Sequence, residues 1–192
     1  MILFSASGYC LALRYVLPIY PFIFVMVGFL GTYLLQYRYL ASMFIIWYLA
    51  SAWYIAPHYL AYFNEIAGGP GNGYKYLVDG NLDWGQDLPG LKKFMDENGI
   101  KRISLSYFGA DSPERYGIKY DWLPSHYLFN PEPDKEVRVT PDQLVAISAT
   151  NLQGVYFDDK NQYKWLLDYK PVAKIGYSIF VYDLSGKRKF KL

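Results

Sequence analysis

The residues best suited to chemistry are concentrated in one heptapeptide, residues 81–87, with the sequence NLDWGQD. It combines two carboxylates, Asp83 and Asp87, with two amide side chains, an indole and a single glycine. Carboxylates and amides form hydrogen bonds with hydroxyl groups, and the face of Trp84 offers a stacking surface. Together these residue types suit a polyhydroxylated ligand.

The same seven residues also have a purely structural interpretation. Asp87 stands immediately before an amphipathic run and is well placed to cap a helix that begins at Leu88. Asp83 would then close a turn, and Trp84 would be buried against a sheet. We favour the cap for Asp87, and we leave both alternatives open for Asp83 and Trp84.

The charged residues are unevenly distributed along the chain. All 17 acidic residues lie at Glu65 or later, whereas residues 1–64 contain only Arg14 and Arg38. The remaining 17 basic residues balance the acidic ones and form no compact block, so the basic isoelectric point does not indicate a nucleic-acid-binding protein. Cys10 is the only cysteine, which excludes an intrachain disulfide and a cysteine-based metal site. No metal site or cofactor is expected.

Two long uncharged segments occupy the first third of the chain. Residues 15–37 number 23 and residues 39–64 number 26, and both contain aromatic residues near their ends. Because about 20 apolar residues cross a bilayer as a helix, we predict a membrane α-helical hairpin of two transmembrane helices, at about 15–35 and 40–62, within residues 1–64. A buried hairpin of a soluble protein is disfavoured because neither segment has a polar face. A signal peptide is disfavoured because the first segment is too long and a second one follows.

The orientation in the membrane and the exit from it can also be predicted. Arg38 lies in the short link between the two segments, and positively charged links tend to be cytoplasmic. The residues after 64 would then be extracytoplasmic. Residues 65–75 contain four glycines and predict a flexible hinge. They do not match a phosphate-binding loop, since Tyr74 follows Gly73 where that motif requires lysine.

Residues 76–192 predict a small α/β domain with an open, mostly parallel sheet, because predicted strands alternate with helices. Strands are expected at 76–78, 103–108, 144–149 and within 172–184, with a turn near Gly176. Helices are expected at 88–98, from 111 and at 163–169, and residues 117–140 are expected to be a surface loop. Ligands usually bind at the carboxyl ends of the strands in open α/β sheets. Three polar loops, 81–87, 106–112 and 148–154, should meet there. The candidate residues that face this rim are Asp83, Trp84, Gln86, Asp111, Asn151 and Gln153.

Several ordered motifs resemble one group of bacterial enzymes. They are RYVLPIYP at 14–21, HYLAYFNEIAGGPGNGYKYLVDGNLDWGQDL at 58–88, SYFG at 106–109, ISATNLQGVY at 147–156 and GYSIFVYDL at 176–184. In this order they resemble the C-terminal part of phospholipid-carrier-dependent membrane glycosyltransferases, related to protein mannosyltransferases and aminoarabinose transferases.

The resemblance implies a function and a location. Enzymes of that group transfer a sugar from a polyprenyl-phosphate carrier to an acceptor, outside the bacterial cytoplasmic (inner) membrane, from a multi-pass fold. It implies that Arg14 and Tyr15 lie near the lipid phosphate, and a permanently charged, bidentate guanidinium suits that role. An arginine that merely reaches the membrane interface is the alternative.

The departure from that group is the missing catalytic acid, which its members carry in an early extracytoplasmic loop. Residues 1–64 contain no carboxylate that could activate an acceptor hydroxyl. We therefore assign no catalytic residue, and we expect Met1 to be an internal methionine of a longer membrane enzyme. The expected partners are the polyprenyl-phosphate-linked sugar, the lipid bilayer and the missing N-terminal transmembrane portion.

Two other functions remain possible at this stage. One is a non-catalytic, membrane-anchored module that binds a glycan or a partner protein at the NLDWGQD rim. The other is a soluble nucleotide-dependent enzyme, which the uncharged segments and the unmatched phosphate loop disfavour. The sequence does not specify the sugar, the acceptor, the oligomeric state or the host.

Overall fold

A computed structural model describes residues 17–34, 36–126 and 143–190. The chain divides into two compact units, Met1–Tyr59 and Leu60–Leu192. In the first unit a 3-10 turn, Leu17–Ile19, leads into helix α1, Tyr20–Leu34, and helix α2 covers Arg38–Ile55. Predicted residues Arg14 and Tyr15 lie outside the described residues.

The predicted transmembrane hairpin is wrong. Across the described ranges, no helix has both the length and the apolar content needed to cross a membrane. Helix α1 has 15 residues, and at 1.5 Å per residue it is about 22 Å long against a hydrocarbon core of about 30 Å. Helix α2 has 18 residues but begins at Arg38 and contains serines and polar-tipped aromatics. The second uncharged run is also not one helix, because α2 ends at Ile55 and Pro57 cannot continue it.

In the second unit, the glycine-rich segment 65–75 is folded rather than extended. Asn64 caps a 3-10 turn, Glu65–Ala67, by accepting a hydrogen bond from Ala67 N, and helix α3 follows at Pro70–Gly73. Lys174 Nζ donates a hydrogen bond to Gly71 O, which ties this segment to a strand of the sheet. The remaining elements are helix α4, Leu88–Glu97; strand β1, Ile103–Ser106; strand β2, Tyr120–Trp122; strand β3, Leu144–Ser148; helix α5, Ala149–Leu152; strand β4, Ala173–Ile175; and strand β5, Ile179–Asp183.

The sheet is mixed, which also corrects the mostly parallel sheet expected from the sequence. Its strand order is β2-β1-β3-β5-β4. β1 pairs in parallel with β2 and β3, whereas β5 pairs antiparallel with β3 and β4. The antiparallel half arises because β4 and β5 form a hairpin around Gly176 and Tyr177. Both have positive φ and Ser178 N donates to Ile175 O, so the turn matches the right-handed twist of its strands.

Two predicted details of the strands also need correction. Residues 76–78 form no strand; a 3-10 turn at Asp79–Asn81 comes next. β2 lies inside the segment expected to be a loop. It is short and half-buried, so it lacks the apolar run that identifies an interior strand.

Both faces of the central strands are buried, and alternate residues serve the two faces. Ala146 and Val181 pack with α4, whereas Val145 and Phe180 pack with residues of α5 and the loop before α4. Helix α4 buries Leu88, Leu91, Phe94 and Met95, as the helical spacing predicts. This layer places the start of α4, and therefore residues 81–87, beside the sheet.

Candidate functional site

Three loops meet at the edge where the parallel strands end. The backbone N–H of Phe108, just after β1, donates to Ser148 Oγ at the end of β3, with a distance of 2.9 Å. Asp79 N donates to Thr150 Oγ1 in α5 at 2.8 Å. A Cβ at Gly85 would overlap the hydroxyl of Tyr107. The segment 79–87 therefore lies against the residues that follow β1 and β3.

The heptapeptide closes on itself through side-chain hydrogen bonds. Asp83 Oδ1 accepts from Gly85 N at 2.9 Å, and Gln86 Oε1 accepts from Trp84 N at 2.8 Å. Gln86 Nε2 donates to Leu82 O at 2.9 Å, so both ends of this amide serve the loop. Leu82 is fully buried and anchors the loop in the core. The loop is a defined turn that presents selected side chains.

Trp84 is the exposed aromatic side chain of this turn. Its side chain is 58% exposed, yet its Nε1 donates to Gly80 O at 2.8 Å. The hydrogen bond restricts the orientation of the indole, which therefore needs little ordering when it stacks on a ligand. Burial of Trp84 against the sheet, one of the two alternatives from the sequence, is wrong.

Asp83 is buried at the base of the turn. Only 1% of the residue is exposed, and its Oδ2 atom has no hydrogen-bond partner within the described part of the chain. Burial raises the pKa of this carboxyl to about 7; the hydrogen bond from Gly85 N opposes the shift, and the charge of Asp87 adds to it. The carboxyl thus holds its proton under conditions in which an exposed aspartate would be ionised.

Asp87 stands at the N-cap position of α4 but does not cap it with its side chain. Its Oδ2 atom instead accepts a hydrogen bond from Ser178 Oγ at 2.6 Å. The glycine at 176 makes this possible, because a Cβ there would occupy the place of the Asp87 carboxylate. The capping prediction is therefore wrong, because the side chain of Asp87 accepts from Ser178 Oγ and not from the first amides of α4. Asp87 thereby joins the turn to the β4–β5 hairpin.

Tyr107 is a site residue that the sequence analysis missed. Its hydroxyl lies against the α-carbons of Gly85 and Gly109, is buried and has no hydrogen-bond partner among the described residues. Burial raises the pKa of Tyr107, and the charges of Asp83 and Asp111 raise it further. The available signal was a tyrosine directly after a strand and two residues before a glycine, which is too common to single it out.

The other three predicted rim residues mainly hold the structure together. Asp111 accepts hydrogen bonds from Tyr116 OH at 2.6 Å and from Ser112 N at 2.9 Å. The hydrogen bond from Tyr116 is the main cause that lowers the pKa of Asp111. Buried Asn151 donates to Ser106 Oγ at 3.0 Å, beneath the edge. Gln153 donates to Tyr74 O at 3.2 Å and so belongs to the contact with the glycine-rich segment.

A second aromatic group, also missed from the sequence, lies beside the turn. The rings of His126 and Tyr156 are stacked with centroids 4.2 Å apart, and Phe108 lies nearly parallel to Tyr156 at 5.7 Å. The hydroxyl of Tyr156 donates to Asp79 Oδ2 at 2.8 Å. Tyr156 and Trp84 are thus both hydrogen bonded to the turn at 79–81, one at Asp79 and the other at Gly80.

Within the described residues, no group of three histidine, cysteine, aspartate or glutamate side chains could hold a metal ion. No family model matches the chain, and no curated protein or solved structure matches it either.

Proposed function

We propose that residues 60–190 recognise a sugar for a glycosyltransferase that uses a polyprenyl-phosphate-linked donor on the extracytoplasmic side of the bacterial envelope. The observation that carries the proposal is the indole of Trp84, which is exposed, held by a hydrogen bond and located at the carboxyl edge of the parallel strands. The apolar face of a pyranose stacks on such a ring, and its hydroxyls find polar partners around it.

The neighbouring groups suit a neutral ligand. Tyr156 is partly exposed and adds a second ring on the same turn, and its hydroxyl is oriented by Asp79. The buried carboxyl of Asp83, with its pKa raised to about 7, adds little charge near the rim at acidic pH. Stacking and hydroxyl hydrogen bonds, rather than ion pairing, would then dominate recognition.

The proposal assigns recognition, and not bond formation, to these residues. A general base must reach the acceptor hydroxyl within hydrogen-bond distance. Asp83 is buried, and Asp87 is buried and accepts a hydrogen bond from Ser178. This arrangement gives weight to the second candidate, a non-catalytic module that binds a glycan or a partner. The lipid-phosphate role of Arg14 and Tyr15 remains part of the first proposal only.

Binding to the whole chain tests the proposal. The probes are methyl glycosides of glucose, mannose and galactose, and a polyprenyl-phosphate-linked hexose in detergent micelles, with NMR or calorimetry as the readout. We expect Trp84→Ala to weaken binding by about tenfold or more, the loss typical of one stacked aromatic ring. The matched control is Trp165→Ala, because Trp165 is also partly exposed, at 37%, but lies on the turn Lys164–Asp168.

The outcomes separate the candidates. Binding of the lipid-linked hexose that depends on Trp84 supports the glycosyltransferase. Binding of simple glycosides alone supports the glycan-binding module. Equal affinity of the Trp84 variant and the unsubstituted chain for every probe, or no binding at all, overturns the sugar-recognition proposal.

A further inference from the structure

The feature with an unassigned role is a buried compartment that contains two carboxyl groups. Asp83 is 1% exposed and Asp87 is 4% exposed, and the charge of Asp87 acts on Asp83. Ionising both buried carboxyl groups has a high free-energy cost, since the like charges repel and neither is solvated by water. The compartment therefore favours one bound proton.

The groups that face Asp83 come from each neighbouring element. Asp87 faces it from the start of α4 and Tyr107 from the end of β1, and Asp111 and Tyr116 lie beyond Tyr107. The hydroxyls of Ser148 and Ser178 face it from β3 and from the turn before β5. Among the residues that the structure describes, no cationic side chain contributes to the charge balance of Asp83. A proton is therefore the available means of neutralising this carboxyl.

We infer that Asp83 is a proton-operated latch: with the proton bound it holds residues 79–87 against the edge of the sheet, and loss of the proton releases the turn that carries Trp84. In its protonated form Asp83 carries no charge, and its Oδ2 atom has no hydrogen-bond partner among the described residues that would favour ionisation. Ionisation places a second negative charge near that of Asp87, and the hydrogen bond from Gly85 N and the hydroxyls of Ser148 and Ser178 offset only part of its cost, so opening of the turn recovers free energy. The latch opens as the pH rises.

The position of Trp84 connects the latch to ligand binding. Trp84 directly follows Asp83, and its N–H donates to Gln86, whose amide is bonded to Leu82 O. A displacement of Asp83 therefore moves the indole with it. The consequence for sugar affinity, which should fall as the pH rises to about 7, rests on the proposed function, whereas the opening of the turn does not.

Hydrogen–deuterium exchange of the whole chain without ligand tests the latch. Amide exchange in residues 79–87 is followed from about pH 5.5 to about pH 8.5, corrected for the intrinsic dependence of exchange on pH. Between about pH 5.5 and pH 7 the closed state of the unsubstituted chain should lose about tenfold in population relative to the open state per pH unit, and the ratio should level off above about pH 7, where Asp83 is ionised in both states. The protection of residues 79–87 should fall accordingly, while that of β3 and β5 should not.

Three variants make the test specific. Asp83→Asn carries no titrating group and should show constant protection across the range. Asp96→Asn, at an exposed carboxylate paired with Lys92 on α4, should behave like the unsubstituted chain. If Asp83→Asn fails to fold, Asp87→Asn replaces it; removing the like charge that raises the pKa of Asp83 should make the loss of protection level off at lower pH.

The latch is overturned by constant protection in the unsubstituted chain, by the same loss in Asp83→Asn, or by an unchanged pH dependence of protection in Asp87→Asn. Because no sugar is present, these results are independent of the proposed function. A turn that opens with pH in a chain that binds no sugar would retain the latch and remove the sugar proposal.

Discussion

Replacing Gly176 with alanine should destabilise the second unit far more than an ordinary glycine substitution. Gly176 has φ +56°, a conformation that L side chains rarely adopt, and its α-carbon lies against the carboxylate of Asp87. An added Cβ would overlap both carboxylate oxygens. The side chain of Asp87 would have to leave its position, and its hydrogen bond from Ser178 Oγ would be lost.

The magnitude follows from two separate contributions. An alanine in the left-handed region costs about 1–2 kcal/mol. Loss of a buried hydrogen bond to a carboxylate costs about 1.5–3 kcal/mol. Their sum is about 2.5–5 kcal/mol, a large part of the roughly 5–15 kcal/mol that is typical of a folded domain.

The assay is urea denaturation followed by circular dichroism, and Gly99→Ala is the matched control. Gly99 has φ +65°, close to that of Gly176, but a Cβ there would meet nothing within 4 Å. The control should therefore lose only the conformational part, about 1–2 kcal/mol. If both variants lose the same free energy of unfolding, Asp87 does not hold the hairpin, and the reasoning is refuted.

Two further predictions concern charge. The pKa of Asp83 is about 7 in the folded chain, against an ordinary value of 3.8. The folded state therefore retains a proton that the unfolded chain releases between these two pKa values. The free energy of unfolding should fall between about pH 4 and pH 7 by on the order of 4 kcal/mol. Asp83→Asn should remove this contribution, and parallel pH curves for the two chains in urea titrations would contradict it. Lys174 Nζ lies 5.4 Å from the ring centroid of Tyr74 and 5.2 Å from that of Phe180. Lys174→Met keeps an apolar stem but removes these contacts and the hydrogen bond to Gly71 O, so thermal denaturation should show a loss of about 1–2 kcal/mol, and an unchanged melting temperature would show that none of these interactions contributes.

Local sequence patterns were sufficient to predict the helices, strands and turns whose own residues determine their structure. The spacing of Leu88, Leu91, Phe94 and Met95 predicted α4, because that face is apolar at the helical period whatever it packs against. The β-forming residues at 103–108 and the apolar run at 144–149 predicted strands, and the structure places β1 and β3 within these ranges. The turn near Gly176 was also predicted correctly, since glycine marks a position that needs positive φ.

The first third of the chain shows where a local pattern misleads. The absence of charge in residues 15–37 and 39–64 is consistent with membrane spans, but it does not set the length of a helix. The structure ends α1 at Leu34 and α2 at Ile55, and neither helix is long and apolar enough to span a membrane. The length of the uncharged segments correctly predicted hydrophobic segments, but it did not correctly predict where the helices begin and end.

The chemistry of the site was determined by tertiary structure. The sequence by itself identified NLDWGQD as a polar turn next to a helix, and it identified Asp83 and Trp84 as candidates. It did not specify that one would be buried and the other exposed, because adjacent residues in a turn point in directions that only packing decides. Tyr107, whose pKa the charge of Asp83 raises, and Ser178, which binds Asp87, are distant in sequence from the turn and reach it only through the pairing of β1, β3 and β5. The pKa of a carboxyl depends on its burial and on its neighbours, and both are properties of the folded chain.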